Sequence, residues 1–157
     1  MKISSKISRE KAICFNMKNT WHSISRMYSN LGEGQEISTS SGFILLNIDP
    51  KEGTPVTKIG PKIGVEPRSL SRALKALIEK NWIYKEKDPN DGRIMRIKLS
   101  KEGVKKREMT KQAVLAFNNA LYDRIPKEKL TSFYEVIDHI NEYIDEFKAT
   151  ENEQKNN

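Results

Sequence analysis

One stretch of this 157-residue chain, from about residue 57 to residue 99, most restricts the fold that the sequence can adopt. It predicts a brief helix capped by Thr57 and ended by Gly64, and then a strong helix from about Arg68 to Lys80 that follows Pro67. The strong helix has opposite apolar and charged faces. The apolar residues are Leu70, Ala73, Leu74 and Leu77, and the charged residues are Arg68, Arg72, Lys75 and Glu79. A short helix followed by a basic amphipathic one predicts a helix-turn-helix.

A β-hairpin is predicted directly after this pair of helices. Its strands are residues 82–87 and 93–99, and the turn formers Asp-Pro-Asn-Asp-Gly lie between them. Arg93 lies near the tip, where Asp91 is placed to hold its guanidinium by a charge-assisted hydrogen bond. Arg96 adds a cation to the second strand. The hairpin is therefore predicted to be the wing of a winged helix.

The residue types on the helix and the wing suit double-stranded DNA. A helix about 10–12 Å wide fits the major groove, where an arginine binds guanine through two hydrogen bonds and a lysine binds phosphate. Small serines approach bases or phosphates closely, and an arginine at a wing tip enters the narrow minor groove. The predicted DNA-contacting residues are Pro67, Arg68, Ser69, Ser71, Arg72, Lys75, Asp91, Arg93 and Arg96.

The distribution of charge supports an anionic partner. The net charge is +7, and residues 66–107 contain thirteen Lys and Arg against six Asp and Glu. Residues 127–157 contain four against eight. The positive field is therefore concentrated on the predicted winged helix, and the C-terminal end is acidic.

Helical patterns flank the winged helix on both sides. A helix is predicted from about Ser8 to Leu31, a short buried helix over residues 43–48 with caps from residues 38–41, and long helices from Lys101 to about Arg124 and after Pro126. In the last helix, apolar residues recur every three or four positions, which is typical of helix–helix packing. We interpret this seam, with Leu121 before it, as a dimer interface of Leu121, Leu130, Phe133, Ile137, Ile140 and Ile144.

Several motifs in this order resemble the MarR family of transcription regulators. Over residues 59–106 they are the helix-turn-helix, the junction from Leu77 to Ile83, the Asp-Gly-Arg wing tip that ends at Arg93, and Leu-Ser-Lys-Glu-Gly at residues 99–103. The flanking helices extend the resemblance to about residues 8–147. Asn81 stands where the family usually has glycine, and Gly60-Pro61 interrupts the first helix of the pair.

The resemblance implies a mainly α fold with a small β wing, in which N- and C-terminal helices form a homodimer. Residues 1–35 and 101–150 would form the dimerisation region, residues 36–100 the winged helix-turn-helix, and residues 151–157 a disordered tail. Two winged heads would then bind a pseudo-palindromic operator in successive major grooves, about 34 Å apart. A small aromatic effector would bind between the dimerisation region and the heads, releasing a repressor from DNA.

Three residues of the first helix, Cys14, Trp21 and Tyr28, are candidates for an effector or redox site. A lone cysteine on a helix is most often a small buried apolar residue, and we interpret Cys14 in this way. The alternative is peroxide sensing, because Cys14-Phe15 and Tyr28 resemble the hydroperoxide-sensing branch of the family. The second tyrosine of that branch is missing, since residues 39–41 are Thr-Ser-Ser.

Other classes of function have little support in the sequence. One cysteine and the histidines His22 and His139 predict no metal site, and no cofactor motif or nucleophile–base pair predicts an enzyme. No apolar stretch is long enough for a signal peptide or a membrane span, so we expect a cytoplasmic protein without membrane contact. A winged helix that binds protein or RNA stays open as an alternative.

Overall fold

The structure is a computed structural model that describes residues 8–155 of the chain. In this part, a 3-10 turn at Arg9–Lys11 precedes six α-helices and three β-strands. The helices are α1 (Ile13–Gly32), α2 (Thr39–Leu46), α3 (Val56–Ile63), α4 (Pro67–Glu79), α5 (Lys101–Arg124) and α6 (Lys127–Lys155). The strands are β1 (Thr54–Pro55), β2 (Ile83–Lys87) and β3 (Met95–Leu99). The fold is mainly α with a small antiparallel wing, as the sequence predicts.

The chain divides into two compact units, one ending at Ala113 and the other beginning at Val114. The first unit contains α1 to α4 and the sheet, whose strand order is β1-β3-β2. The second contains α6, and helix α5 continues across the boundary.

The core of the first unit joins the helix-turn-helix to the sheet. It consists of Ile44, Leu45, Ile48, Ile59, Leu70, Leu74, Leu77, Trp82, Ile83 and Ile97. Because α4 contributes three leucines and the hairpin contributes Ile83 and Ile97, the wing packs directly on the second helix of the motif. Burying such side chains contributes roughly 1.5–3 kcal/mol each, which fixes the position of the wing relative to α4.

The start of α3 differs from the prediction. The helix begins at Val56, with Pro55 before it, so that Thr57 lies in the first turn instead of capping the helix. Pro61 lies inside α3, and the carbonyl deprived of its N–H partner is that of Thr57, four residues earlier and exposed. Gly64 ends the helix in the left-handed region, with φ 65°.

Helix α4 ends as the sequence predicts. Asn81 adopts φ 55°, and the N–H of Trp82 returns to the carbonyl of Leu77 at 3.0 Å. Asn therefore takes the place of the usual glycine in this left-handed position.

The Leu-Ser-x-x-Gly motif starts α5 against the core. The Ser100 hydroxyl accepts a hydrogen bond from the Gly103 N–H at 3.0 Å, as predicted for a cap. An added Cβ at Gly103 would come within 1.8 Å of the Trp82 carbonyl oxygen, so the close approach requires glycine.

Helix α6 continues beyond the end that the sequence predicts. Residues 151–155 are helical, although a disordered tail is predicted from residue 151. The last two residues of that predicted tail lie outside the described part of the chain.

Candidate nucleic-acid interface

Helix α4 presents the predicted DNA-contacting residues on one exposed surface. Pro67 occupies its first turn, where a missing N–H costs nothing, and Leu70, Leu74 and Leu77 bury the opposite face. The exposed residues are Arg68, Ser69, Ser71, Arg72 and Lys75. All the predicted DNA-contacting residues of α4 are therefore exposed, away from the leucines that face the core.

The cations of α4 are available for an external partner. Within residues 8–155, Arg68 and Arg72 form no ion pair, and Lys75 has only Glu79 at 3.9 Å, with 80% of the lysine side chain exposed. Such an exposed pair is worth roughly 0–1 kcal/mol and does not hold the ammonium group in place. The Ser71 hydroxyl donates to the Pro67 carbonyl at 2.9 Å and keeps its acceptor capacity for a partner.

The turn of the wing is ordered around the nearly buried Asp88. Its carboxylate accepts hydrogen bonds from the N–H groups of Asn90 at 2.8 Å and Asp91 at 3.2 Å, and pairs with the guanidinium of Arg96. The Arg96 hydrogen bond, followed by that of the Asn90 N–H, lowers the pKa of Asp88 below its usual value. The hairpin tip thus has a fixed shape before any ligand binds.

Arg93 projects from this tip with 91% of its side chain exposed. Its Nε and Nη2 each donate to a carboxylate oxygen of Asp91 at 3.0 Å, which is the predicted two-point bracing. The hydrogen bond from the Arg93 side chain is the main reason that the pKa of Asp91 is lowered. The bracing orients the guanidinium while leaving its outer edge free.

The contacts of Arg96 differ from the DNA contact that the sequence predicts for it. Only 23% of its side chain is exposed, and besides Asp88 it donates to the carbonyl oxygens of Glu52 at 3.3 Å and Gly53 at 3.2 Å. These contacts tie β3 to the turn before β1. The guanidinium is engaged inside the wing, which argues against the predicted DNA contact of Arg96.

Lys85 and Lys87 of β2 stand outside the predicted set, yet both are exposed on the wing. The signal in the sequence is their alternation with Ile83, at steps of two residues along a strand. That signal depends on the register of the hairpin, which the pattern Ile94-Met95-Arg96-Ile97 leaves undetermined.

The predicted dimer residues lie in the second unit. Phe133 and Ile144 are exposed by 56% and 42%, whereas Leu121, Leu130, Ile137 and Ile140 are half-buried. Phe147, the last apolar position of the predicted seam, is exposed as well, and so are Tyr134, Val136 and Tyr143 outside it. The hydroxyls of Tyr122 and Tyr134 are 2.8 Å apart and join α5 to α6. The exposed apolar surface of α6 is thus wider than the predicted seam.

Cys14 is exposed, so its interpretation as a buried apolar residue is wrong. Helix α1 contains both Cys14 and Tyr28, and fourteen residues of helix separate them by about 21 Å. The tyrosine of the same chain therefore does not reach the thiol. This geometry does not favour the peroxide-sensing alternative.

Trp21 lines a groove formed by α1, α2 and α3. Its ring lies 5.6 Å from that of Phe43, and Lys62 is the charged residue of the lining. The groove has a volume of about 550 Å³, and its remaining lining residues are Ser25, Thr39, Ser40, Asn47, Ile63 and Val65. Two aromatic rings, several hydroxyls and one cation make this groove the candidate effector site.

No group of three or more His, Cys, Asp or Glu is arranged to hold a metal ion among residues 8–155. Across the described helices, none combines the length and the apolar character needed to cross a bilayer.

Helix α3, the turn to α4 and the β2–β3 hairpin together define a winged helix-turn-helix. Residues 37–95 match the MarR family. The HTH-type transcriptional regulator SarZ of Staphylococcus aureus (strain MRSA252) is 23% identical over 93 residues, which cover 59% of this chain and 63% of SarZ. The chain thus matches less than two thirds of the length of this curated relative.

Solved structures share the fold. The S. aureus MepR–DNA complex has a TM-score of 0.76 at 17% identity, covering 84% of this chain and 98% of MepR. PcaV of Streptomyces coelicolor, in complex with its natural ligand, has a TM-score of 0.72 at 14% identity, covering 88% and 97%. The winged helix-turn-helix, residues 37–95, therefore matches the MarR family, and the described part of the chain shares its fold with these solved structures.

Proposed function

We propose that this protein is a transcription regulator that binds double-stranded DNA with α4 in the major groove and Arg93 in the minor groove. The observation that carries the proposal is that Arg68 and Arg72 of α4 are exposed and have no ion-pair partner among residues 8–155, beside a wing whose Arg93 is already oriented. Arginine binds guanine through two hydrogen bonds in the major groove and is favoured in narrow minor grooves. The match of residues 37–95 to the MarR family and the similarity to the MepR–DNA complex support the same proposal.

The protein acts as a homodimer in this proposal. The exposed aromatic and aliphatic residues of α6 are the supporting observation, since Phe133, Tyr143 and Phe147 each expose more than half of their surface. Contiguous apolar surface of this kind marks an interaction site. Two copies would place one winged head on each half of a pseudo-palindromic operator.

The regulator is a repressor released by a small effector in the groove beside Trp21. The groove's aromatic walls and Lys62 favour a planar aromatic anion. Because its lining includes residues of α1 and of α3, a ligand there contacts both the flanking helix and the helix-turn-helix. Binding would then alter the position of α3 and weaken DNA binding.

The DNA-binding proposal is tested by removing both arginines of α4. The double variant Arg68→Ala/Arg72→Ala should bind its preferred duplex at least tenfold more weakly, because each lost base contact costs about 1–3 kcal/mol. The control, Lys105→Ala/Lys111→Ala on α5, removes the same charge from a surface outside the motif. Fluorescence anisotropy at one fixed salt concentration measures both. Equal affinities for the two double variants, or no duplex binding by the wild type, would contradict the proposal.

Effector binding has a separate test. Benzoate and its hydroxylated derivatives are titrated while tryptophan fluorescence is recorded, with Trp21→Phe as the control that leaves the buried Trp82 as the sole fluorophore of its kind. We expect a saturable signal in the wild type, which Trp21→Phe loses, and reduced duplex affinity at saturation. A protein whose duplex affinity is unchanged by every compound that binds would contradict release by an effector in this groove.

A further inference from the structure

The register of the wing places two lysines on the face that packs against α4. In the antiparallel pair, Lys85 lies opposite Ile97 and Lys87 lies opposite Met95. Directly opposed residues share one face of a sheet, and so do alternate residues of a strand. Ile83 and Ile97 on that face are buried with the leucines of α4. Lys85 and Lys87 therefore continue the α4-facing surface outward from the core toward the tip.

The cations on the other face of the hairpin are neutralised within the wing. Lys98 pairs with Glu86 at 2.6 Å, and Arg96 pairs with Asp88. By contrast, Lys85 and Lys87 are exposed and form no ion pair with any residue between 8 and 155. The hairpin thus segregates its charge, with paired cations on one face and free cations on the face toward α4.

The geometry of a DNA duplex determines which part of the DNA lies against the surface formed by Lys85 and Lys87. The major and minor grooves of B-form DNA are separated by one sugar–phosphate strand. If α4 occupies the major groove and Arg93 the adjacent minor groove, the surface between them faces that strand. Lys85 and Lys87 lie on this intervening surface, about 7 Å apart along β2.

We propose that Lys85 and Lys87 form a phosphate-binding strip that holds the DNA strand between the two grooves. The inference rests on the proposed function and adds residues to it. Met95 lies opposite Lys87 with 37% of its surface exposed, and offers an apolar contact to deoxyribose. The strip positions the protein on any duplex and carries no sequence preference, because phosphates are the same at every step.

The experiment measures how the affinity of the full chain for a mixed-sequence 30-base-pair duplex depends on salt. The double variant Lys85→Gln/Lys87→Gln is compared with Lys105→Gln/Lys111→Gln, which removes the same charge from α5, and with Lys85→Arg/Lys87→Arg. Each phosphate contact contributes about 0.9 to the slope of log K against log salt. Because a bound dimer would lose four such contacts, two on each head, we expect the slope of the β2 glutamine variant to be shallower by about 3.6. The slopes of the arginine variant and the α5 variant should be like that of the wild type.

Two outcomes would contradict phosphate binding by Lys85 and Lys87 and leave the proposed function intact. In one, the β2 glutamine variant keeps the wild-type slope. In the other, the β2 and α5 glutamine variants lose the same amount, so that net charge alone matters. A wild type that binds no duplex at low salt but binds poly-glutamate would overturn the proposed function as well, in favour of an acidic protein partner. Thermal unfolding monitored by circular dichroism verifies that each variant is folded.

Discussion

At the scale of single residues, the two arginines of the wing, Arg93 and Arg96, differ in exposure and in their contacts. Arg93 is 91% exposed and held by one carboxylate at the tip. Arg96 is mostly covered and donates to three internal acceptors. An exposed side chain contributes little to folding, and a polar group whose partner is removed inside the protein costs stability. Arginine is thus proposed to contact DNA at position 93, whereas at position 96 it holds the wing together.

This difference predicts two separable phenotypes. Arg93→Ala should weaken duplex binding and leave the melting temperature unchanged. Arg96→Ala should lower the melting temperature because the Asp88 carboxylate and the carbonyls of the preceding turn lose their donor. Thermal unfolding and fluorescence anisotropy of both variants provide the measurements. A drop in melting temperature for Arg93→Ala that equals the drop for Arg96→Ala would contradict the assignment.

The carboxylate of Asp88 makes part of the wing's stability depend on pH. Its folded pKa is lowered, so the ionised form contributes stability at pH values above the ordinary carboxyl pKa of about 4. This contribution is lost as the pH falls through the folded pKa. Asp88→Asn should therefore be less stable than the wild type at pH 6, and the difference should shrink as the pH is lowered to 3. Urea denaturation across this range measures it; a difference independent of pH would refute the ionic role.

At the scale of elements, the sequence predicts α4 and the start of α5 well because local chemistry determines both. Pro67 opens α4, Asn81 accepts the left-handed conformation that closes it, and Ser100 caps α5. Each of these signals acts over a few residues and needs no distant partner.

Features that depend on distant residues are not predicted. In the hairpin, Lys85 lies opposite Ile97, and Asp88 pairs with Arg96. The alternation of apolar and polar residues in the sequence does not determine this register. It therefore predicts neither the internal contacts of Arg96 nor the face on which the β2 lysines lie. The exposure of Cys14 is missed for a similar reason. A helical pattern does not specify which neighbours cover the first turn of α1.

The junction between the hairpin and α5 yields an element-scale prediction. Gly103→Ala places a methyl group against the Trp82 carbonyl, a backbone atom with little freedom to move. We expect a loss of about 2–3 kcal/mol in the free energy of unfolding, measured by urea denaturation. Gly34→Ala is the matched control, because nothing lies within 4 Å of its added Cβ. Equal stability of the two variants would show that the close approach is not required.

At the scale of the whole molecule, the proposed binding to two half-sites requires two copies of the chain. Removing the exposed apolar surface of α6 should separate them. Phe133→Asp/Ile144→Asp should have a mass in solution near the 18.1 kDa of one chain, whereas the wild type and the exposed polar control Thr131→Asp should have twice that mass. Light scattering after size-exclusion chromatography measures this. A dimeric double variant would place the interface elsewhere, and a monomeric wild type would exclude the homodimer.

We propose that paired copies of the chain present two arginine-bearing heads to one face of a duplex. Selection of bound sequences from a random pool of duplex DNA tests it most directly. We expect an inverted repeat whose half-site centres lie about 10 base pairs, or one helical turn, apart. Recovery of a single unrepeated site, or of no enriched sequence while the protein is folded and dimeric, would contradict the claim.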